Sequence, residues 1–204
     1  MRIAVLGATG RTGRHILDLA LDHGHDVTAV VRAPGKLAAR DRLTILVGDP
    51  LAPDTLAAAL PGHDAVISVL GPRGREALRP GTLVADCARR VLGAMRGAGV
   101  ERLAIVSAAV LFPQRGLVFG FFRWLLRHHA RDLAAMEALV RASPVAWTIA
   151  RPGRLVDGDA ATCRTAVDAY PAGGKTMTFR AVAAFLVGAI EQRAHLRELV
   201  GLAR

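Results

Sequence analysis

Six short apolar runs, each followed by a helical or loop pattern, leave this chain very few folds. The runs are RIAVLG (2–7), DVTAVVR (26–32), LTILVGD (43–49), DAVISVLG (64–71), RLAIVSAA (102–109) and VAWTIARP (145–152). Most are near-continuous in Val, Ile, Leu and Ala, as in parallel strands covered on both faces. Helical periodicity falls between them at about 12–23, 36–40, 53–60, 82–98 and 117–142. Pro53 and Pro80 stand near the helix starts, while Gly62, Gly97 and Gly99 stand near the ends. The alternation predicts an α/β fold with an open, doubly wound parallel sheet.

After Pro152 the pattern loosens. Residues 154–179 are loop-rich, with short strands expected near 163–167 and 176–179, then a helix at about 180–192 and a last strand at 196–203. A length of 204 residues suits one Rossmann-like domain, 1–204, in which 154–203 add substrate-side loops, a helix and a strand. In such sheets the ligand crevice lies at the carboxyl ends of the strands, where the strand order reverses. The loops at 8–12, 32–36, 49–52, 71–80, 108–116 and 152–160 are expected to ring it.

Composition narrows the function classes. Hydrophobic residues make up 52% and charged residues 22%, which suits a globular chain with a sizeable core. The longest apolar stretch, 103–113, is too short to span a bilayer, and Met1-Arg2 runs directly into a strand rather than a leader, so a cytoplasmic protein is expected. Cys87 and Cys163 form no CxxC pair and read as buried thiols. The net charge of +10 comes from arginines scattered along the chain and suits phosphorylated cofactors or acidic small molecules better than nucleic acid. His23-x-His25 has no acidic partner at helical spacing, so no metal site is expected.

Gly7-Ala8-Thr9-Gly10-Arg11-Thr12-Gly13 follows a strand and opens a helix, the context that gives a glycine-rich string meaning. Gly7 permits a tight turn, Gly10 lets the backbone approach a pyrophosphate, and Gly13 lets the helix pack closely on the strand. The free N–H groups at the helix start then face the phosphates. Arg32 ends the second strand, nineteen residues after Gly13, where an acid would bind the ribose 2′-hydroxyl of NAD. An arginine there suits a 2′-phosphate, which favours NADP(H) over NAD(H), and Arg11 is expected to flank the same phosphate.

The ordered series GATGRTG, VVR-x-P, VGD (47–49), DAVISVLG, IVSAA (105–109) and WTIARPG (147–153) resembles the atypical short-chain dehydrogenase/reductases with an NAD(P)H-binding domain. Among these it is most similar to the flavin reductase/biliverdin reductase B group. The resemblance implies that Gly7, Thr9, Gly10, Arg11, Thr12 and Gly13 hold the phosphates and that Arg32 takes the 2′-phosphate. It implies that Asp49, Pro50 and Leu51 lie beside the adenine, and that Leu70 and Gly71 line the nicotinamide ribose. Ser107, the catalytic candidate, would stand beside the nicotinamide, with Pro152 and Gly153 closing over its far side.

Catalytic members of the wider family carry a Tyr-xxx-Lys pair on the helix after the fifth strand. Residues 117–142 hold neither residue, and Tyr170 and Lys175 lie in a loop sequence, five positions apart. Hydride transfer to a flavin, quinone or similar conjugated acceptor needs no such pair, because the proton can come from solvent. The expected function is therefore an NADPH-dependent reductase acting on a small aromatic or conjugated molecule. The alternatives are an NADP(H)-reading regulatory protein of NmrA-like type and a pathway-specific reductase of a polyaromatic metabolite. His128 and His129 read as solvated helix residues. The apolar segment 117–126 reads as a core helix with one wet edge, a lid over the acceptor, or a dimer or membrane-surface contact, which leaves monomer and homodimer open.

Overall fold

The computed structural model describes residues 1–33, 35–72, 74–113 and 125–204. Its elements run β1 (Arg2–Leu6), α1 (Arg11–Asp22), β2 (Asp26–Val31), β3 (Leu43–Val47), α2 (Pro53–Ala59), β4 (Ala65–Ser68), α3 (Leu83–Ala98) and β5 (Arg102–Val106). They continue with α4 (Arg127–Arg141), β6 (Ala146–Pro152), β7 (Arg154–Val156), β8 (Arg164–Val167), β9 (Thr176–Thr178), α5 (Phe179–Glu191) and β10 (Glu198–Ala203). The sheet order is β3-β2-β1-β4-β5-β6-β10-β8; among the described strands β8 alone runs antiparallel to its neighbour, and β7 pairs with β9 in a separate ribbon. The doubly wound parallel sheet expected from the sequence is thus present.

Side-chain alternation splits the core into two layers. Ile3 and Val5 of β1 pack with Ile16 and Leu17 of α1 and Leu186 and Ile190 of α5. Ala4 and Leu6 pack on the other face with Leu56 of α2, Val91 and Met95 of α3, and Met136 and Val140 of α4. Both faces of β1 are fully buried, which is why its sequence does not alternate between apolar and polar residues.

Two buried polar side chains, Asp132 and Arg102, tie neighbouring elements together. Asp132 of α4 accepts from the backbone N–H groups of Val84 and Ala85 at 2.9 Å each, so a carboxylate from one helix caps the start of another. Arg102 at the start of β5 donates to the carbonyls of Ala146, Ala189 and Ala194 and to the Thr148 hydroxyl, tying β6 to the end of α5.

The helix expected at 36–40 does not form. Five residues close too few hydrogen bonds to repay nucleation, and Arg40 instead donates to Asp18 of α1 at 2.5 Å, with Asp22 at 3.7 Å. The runs through β3, β4 and β5 also leave the sheet two or three residues earlier than their apolar character predicts, freeing those residues to form crevice loops. Of the helix expected at 117–142, Arg127–Arg141 is α4, and 117–124 lies outside the described residues. Among the described residues no helix is long and apolar enough to cross a membrane.

Candidate functional site

Because β3, β2, β1, β4, β5 and β6 are parallel and in register, the residues just past each strand end fall along one edge of the sheet. Read across that edge they are Asp49, Arg32, the glycine loop, Leu70 and Gly71, Ser107, and Pro152 with Gly153. The strand order reverses between β1 and β4, which puts the crevice at the glycine loop. Three strand spacings separate the ends of β2 and β5, roughly 14 Å, so Arg32 and Ser107 stand far enough apart for the two ends of an extended ligand.

The glycine loop is built for close backbone approach. Gly7 has φ +87°, and a Cβ there would lie 2.9 Å from the Val69 carbonyl oxygen. A Cβ at Gly13 would lie 2.2 Å from the Gly7 carbonyl oxygen, so α1 could not sit where it does with any side chain at this position. Gly10 caps α1 without a side chain, and no acidic residue occupies the first turn. The first intrahelical bond runs from the Arg14 N–H to the Gly10 carbonyl at 2.9 Å. The N–H groups of Arg11, Thr12 and Gly13 therefore have no intrahelical acceptor and offer a positive end to an anion. This cradle fits a dinucleotide pyrophosphate.

The flanking residues take their places on either side. Arg32 is exposed just past β2, forms no ion pair with any described residue, and lines a cleft of about 340 Å³ with Pro72, Leu83, His128, His129 and Asp132. The two histidines are thus half-buried cleft residues rather than fully solvated ones, and burial lowers the His129 pKa against the opposing pull of Asp132. Asp49 accepts from the Leu51 N–H at 3.0 Å, closing a tight turn over buried Pro50. Arg11, largely exposed, stacks over Phe179 at 4.0 Å and reaches Asp157 at 3.5 Å.

Ser107 is 4% exposed, and its hydroxyl donates to Glu137 of α4 at 2.5 Å. Arg151 of β6 grips the same carboxylate, Nε to Oε1 at 2.9 Å and Nη2 to Oε2 at 2.6 Å. The Arg151 guanidinium also lies 4.6 Å over the ring of Phe112, which packs against Tyr170 at 5.9 Å. Phe112, Pro113, Tyr170, Pro171 and Lys175 line a second cleft of about 600 Å³. Burial raises the Tyr170 pKa, with Arg164 opposing. Gly153 adjoins this cleft, since a Cβ there would meet the Tyr170 hydroxyl at 2.2 Å.

The sequence reading named Ser107 and Gly153 but missed Glu137, Arg151, Phe112 and the role of Tyr170. A signal for the first two was present. Glu137 occupies the apolar stripe Leu133, Met136, Val140 of its helix, and Arg151 interrupts an apolar strand, so each required a buried partner.

A profile of the NAD(P)H-binding family matches residues 7–193. Oxidoreductase stcQ of Emericella nidulans is 30% identical over 189 residues, covering 81% of this chain and 69% of that protein. Photosystem II assembly factor Ycf39 of Synechocystis sp. is 33% identical over 109 residues, covering 52% of this chain and 33% of that protein. The chain spans less than half the length of most of the curated relatives it matches. Among solved structures, a protein provisionally assigned as an NADH-flavin reductase from Streptococcus pneumoniae TIGR4 superposes with TM-score 0.80 at 23% identity, covering 100% of this chain and 99% of that one. A short-chain dehydrogenase/reductase from Veillonella parvula in complex with NADP superposes with TM-score 0.80 at 17% identity, covering 100% and 94%. At these identities the structural likeness carries the fold, while the profile and the stcQ match carry the family. The crevice, the glycine cradle and these matches agree: the chain belongs to the NAD(P)H-binding, oxidoreductase-type family.

Proposed function

We propose that this protein is an NADPH-dependent reductase that passes hydride to a flavin, quinone or similarly flat, conjugated acceptor. The observation that carries the reading is Arg32, exposed at the end of β2 without a carboxylate partner among the described residues. A guanidinium there pairs with a 2′-phosphate and gives nothing comparable to a 2′-hydroxyl. A bound nicotinamide supplies the hydride. The chain's own part is to hold and orient. The glycine cradle and the start of α1 take the pyrophosphate, Asp49, Pro50 and Leu51 border the adenine, and Leu70 and Gly71 border the second ribose.

Ser107 stands at the nicotinamide end with its proton directed inward to Glu137, so it orients through its lone pairs, and the acceptor takes its proton from water. Pro152 and Gly153 close the far side. The aromatic cleft of Phe112 and Tyr170 beside Gly153 suits a flat acceptor, since both rings offer stacking surface. The provisional flavin-reductase assignment of a structural neighbour points to the same acceptor class. The inward commitment of the Ser107 proton also favours a second reading, a protein that binds NADP(H) as a signal without turning it over.

The test compares NADPH and NADH oxidation with riboflavin, FMN and menadione, in wild type and Arg32→Ala. A charge-assisted contact of about 1.5–3 kcal/mol predicts that KM for NADPH rises roughly 10- to 150-fold in the variant while NADH is unaffected. Tight NADPH binding without turnover on any of these acceptors would overturn the reductase reading in favour of the signal-binding one. Equal loss with both nucleotides would overturn the role of Arg32.

A further inference from the structure

At the opposite end of the sheet, the fold assembles three metal-ligating side chains that lie far apart in sequence. His23 caps the end of α1, His25 precedes β2, and Glu191 is the last residue of α5. His23 Nδ1 lies 2.7 Å and His25 Nε2 lies 2.6 Å from the same Glu191 oxygen, and the three ligand atoms all fall within 4.8 Å of one another. The rings meet edge to face, with centroids 6.4 Å apart at 73°. We propose that His23, His25 and Glu191 form a binding site for a divalent transition-metal ion of the zinc class.

The chemistry of the donors selects the ion. Two imidazoles and a carboxylate suit Zn²⁺, Co²⁺, Ni²⁺ or Cu²⁺, whereas Mg²⁺ and Ca²⁺ prefer an all-oxygen shell. Metal–ligand bonds of about 2.0–2.1 Å in tetrahedral array set ligand atoms roughly 3.3 Å apart. The Glu191 oxygen then withdraws by about 0.6 Å from each nitrogen, while the two nitrogens, within 4.8 Å of each other, settle at the same spacing. His23 presents a lone pair at Nδ1 once its proton sits on Nε2; His25 presents one at Nε2 once its proton sits on Nδ1, where the Met1 ammonium at 3.4 Å has to turn away.

The backbone fixes the main chain at both histidines before any ion arrives. The His23 N–H bonds to the Leu19 carbonyl and the His25 N–H to the Ala20 carbonyl, each at 3.0 Å, with Gly24 at φ +80° turning the chain between them. The His25 side chain is 12% exposed and that of His23 is 49% exposed. Solvent therefore reaches the site from the His23 side, where water completes the shell. The ion would clamp the α1–β2 corner to the end of α5, bridging 166 residues of chain. It sits at the edge away from the nucleotide crevice, so its effect falls on stability and not on nucleotide binding.

The test is a titration of tag-free protein with Zn²⁺ by calorimetry and with Co²⁺ by visible absorption, repeated on His23→Gln, His25→Gln and Glu191→Gln. The expected result is one ion per chain, tetrahedral Co²⁺ bands and a Zn²⁺-dependent rise in Tm. Each substitution should lower the affinity by more than about 100-fold, beyond the loss seen when only an outer partner is removed, while the Kd for NADPH stays unchanged. Absence of one-to-one binding in wild type, or binding that survives His23→Gln and His25→Gln, would overturn the proposal. His23 is half exposed, so its variant decides the question even if Glu191→Gln fails to fold.

Discussion

Replacing Glu137 with glutamine tests whether the buried network behind Ser107 behaves as its geometry requires. Glu137 is 4% exposed and receives three donors: the Ser107 hydroxyl, Arg151 Nε and Arg151 Nη2. A glutamine oxygen in the Oε1 position keeps Ser107 and Nε, but its amide then turns N–H groups toward Nη2, and Arg151 loses its counter-charge. Breaking a buried pair costs about 3–5 kcal/mol. The Arg151 side chain keeps 13% exposure and its contact with Phe112, which discounts the loss to about 2–4 kcal/mol. For a domain of this size that corresponds to a fall in Tm of roughly 5–15 °C. Urea and thermal unfolding followed by circular dichroism measure it directly. A loss below about 0.5 kcal/mol, the range of ordinary surface substitutions, would refute the reasoning, because it would mean that solvent already screens the pair. The double variant Glu137→Met with Arg151→Met is expected to recover most of the stability, since it leaves no charge buried alone.

Two further outcomes follow from the geometry. Gly13→Ala sets a methyl 2.2 Å from the Gly7 carbonyl oxygen and forces α1 off the loop; it is expected to lower stability by about 1–3 kcal/mol and to abolish NADPH binding in a fluorescence titration, and retained affinity would refute the cradle. Alkaline unfolding is the second. Burial, reinforced by the charges of Asp49, Asp86 and Asp132, raises the Cys87 thiol to about 11, and burial also raises Cys163. A raised folded pKa favours the protonated fold, so stability is intact below about pH 9, where the unfolded thiol begins to ionise, and falls as pH climbs toward 11. Cys87→Ala should flatten that slope in chemical denaturation at pH 8 to 11, and an unchanged slope would assign it elsewhere.

The parts of the site legible in the sequence are those built by neighbours along the chain. A glycine at Gly7 or Gly13 announces itself because the strand, the turn and the helix start all lie within a dozen residues. Arg32 and Ser107 could be named because a parallel sheet carries every strand end to one edge, so position within a run translates into position in the crevice. The short helix expected at 36–40 failed because Arg40 answers to Asp18 and Asp22 in an earlier helix, and no window around it contains that information.

What the sequence determined by itself was thus the layer architecture, the glycine cradle and the order of residues along the crevice, since each rests on local periodicity and on steric demands a few residues wide. Only the tertiary structure decided which charges meet. It paired Glu137 with Arg151 and Ser107, set Asp132 under the start of α3, turned Arg11 toward Phe179, and brought Glu191 to His23 and His25. A buried or half-buried charge must find a partner, but the sequence states only that need; the partner is chosen by the winding of the sheet, which places residues from 14 to 168 positions apart within hydrogen-bonding distance.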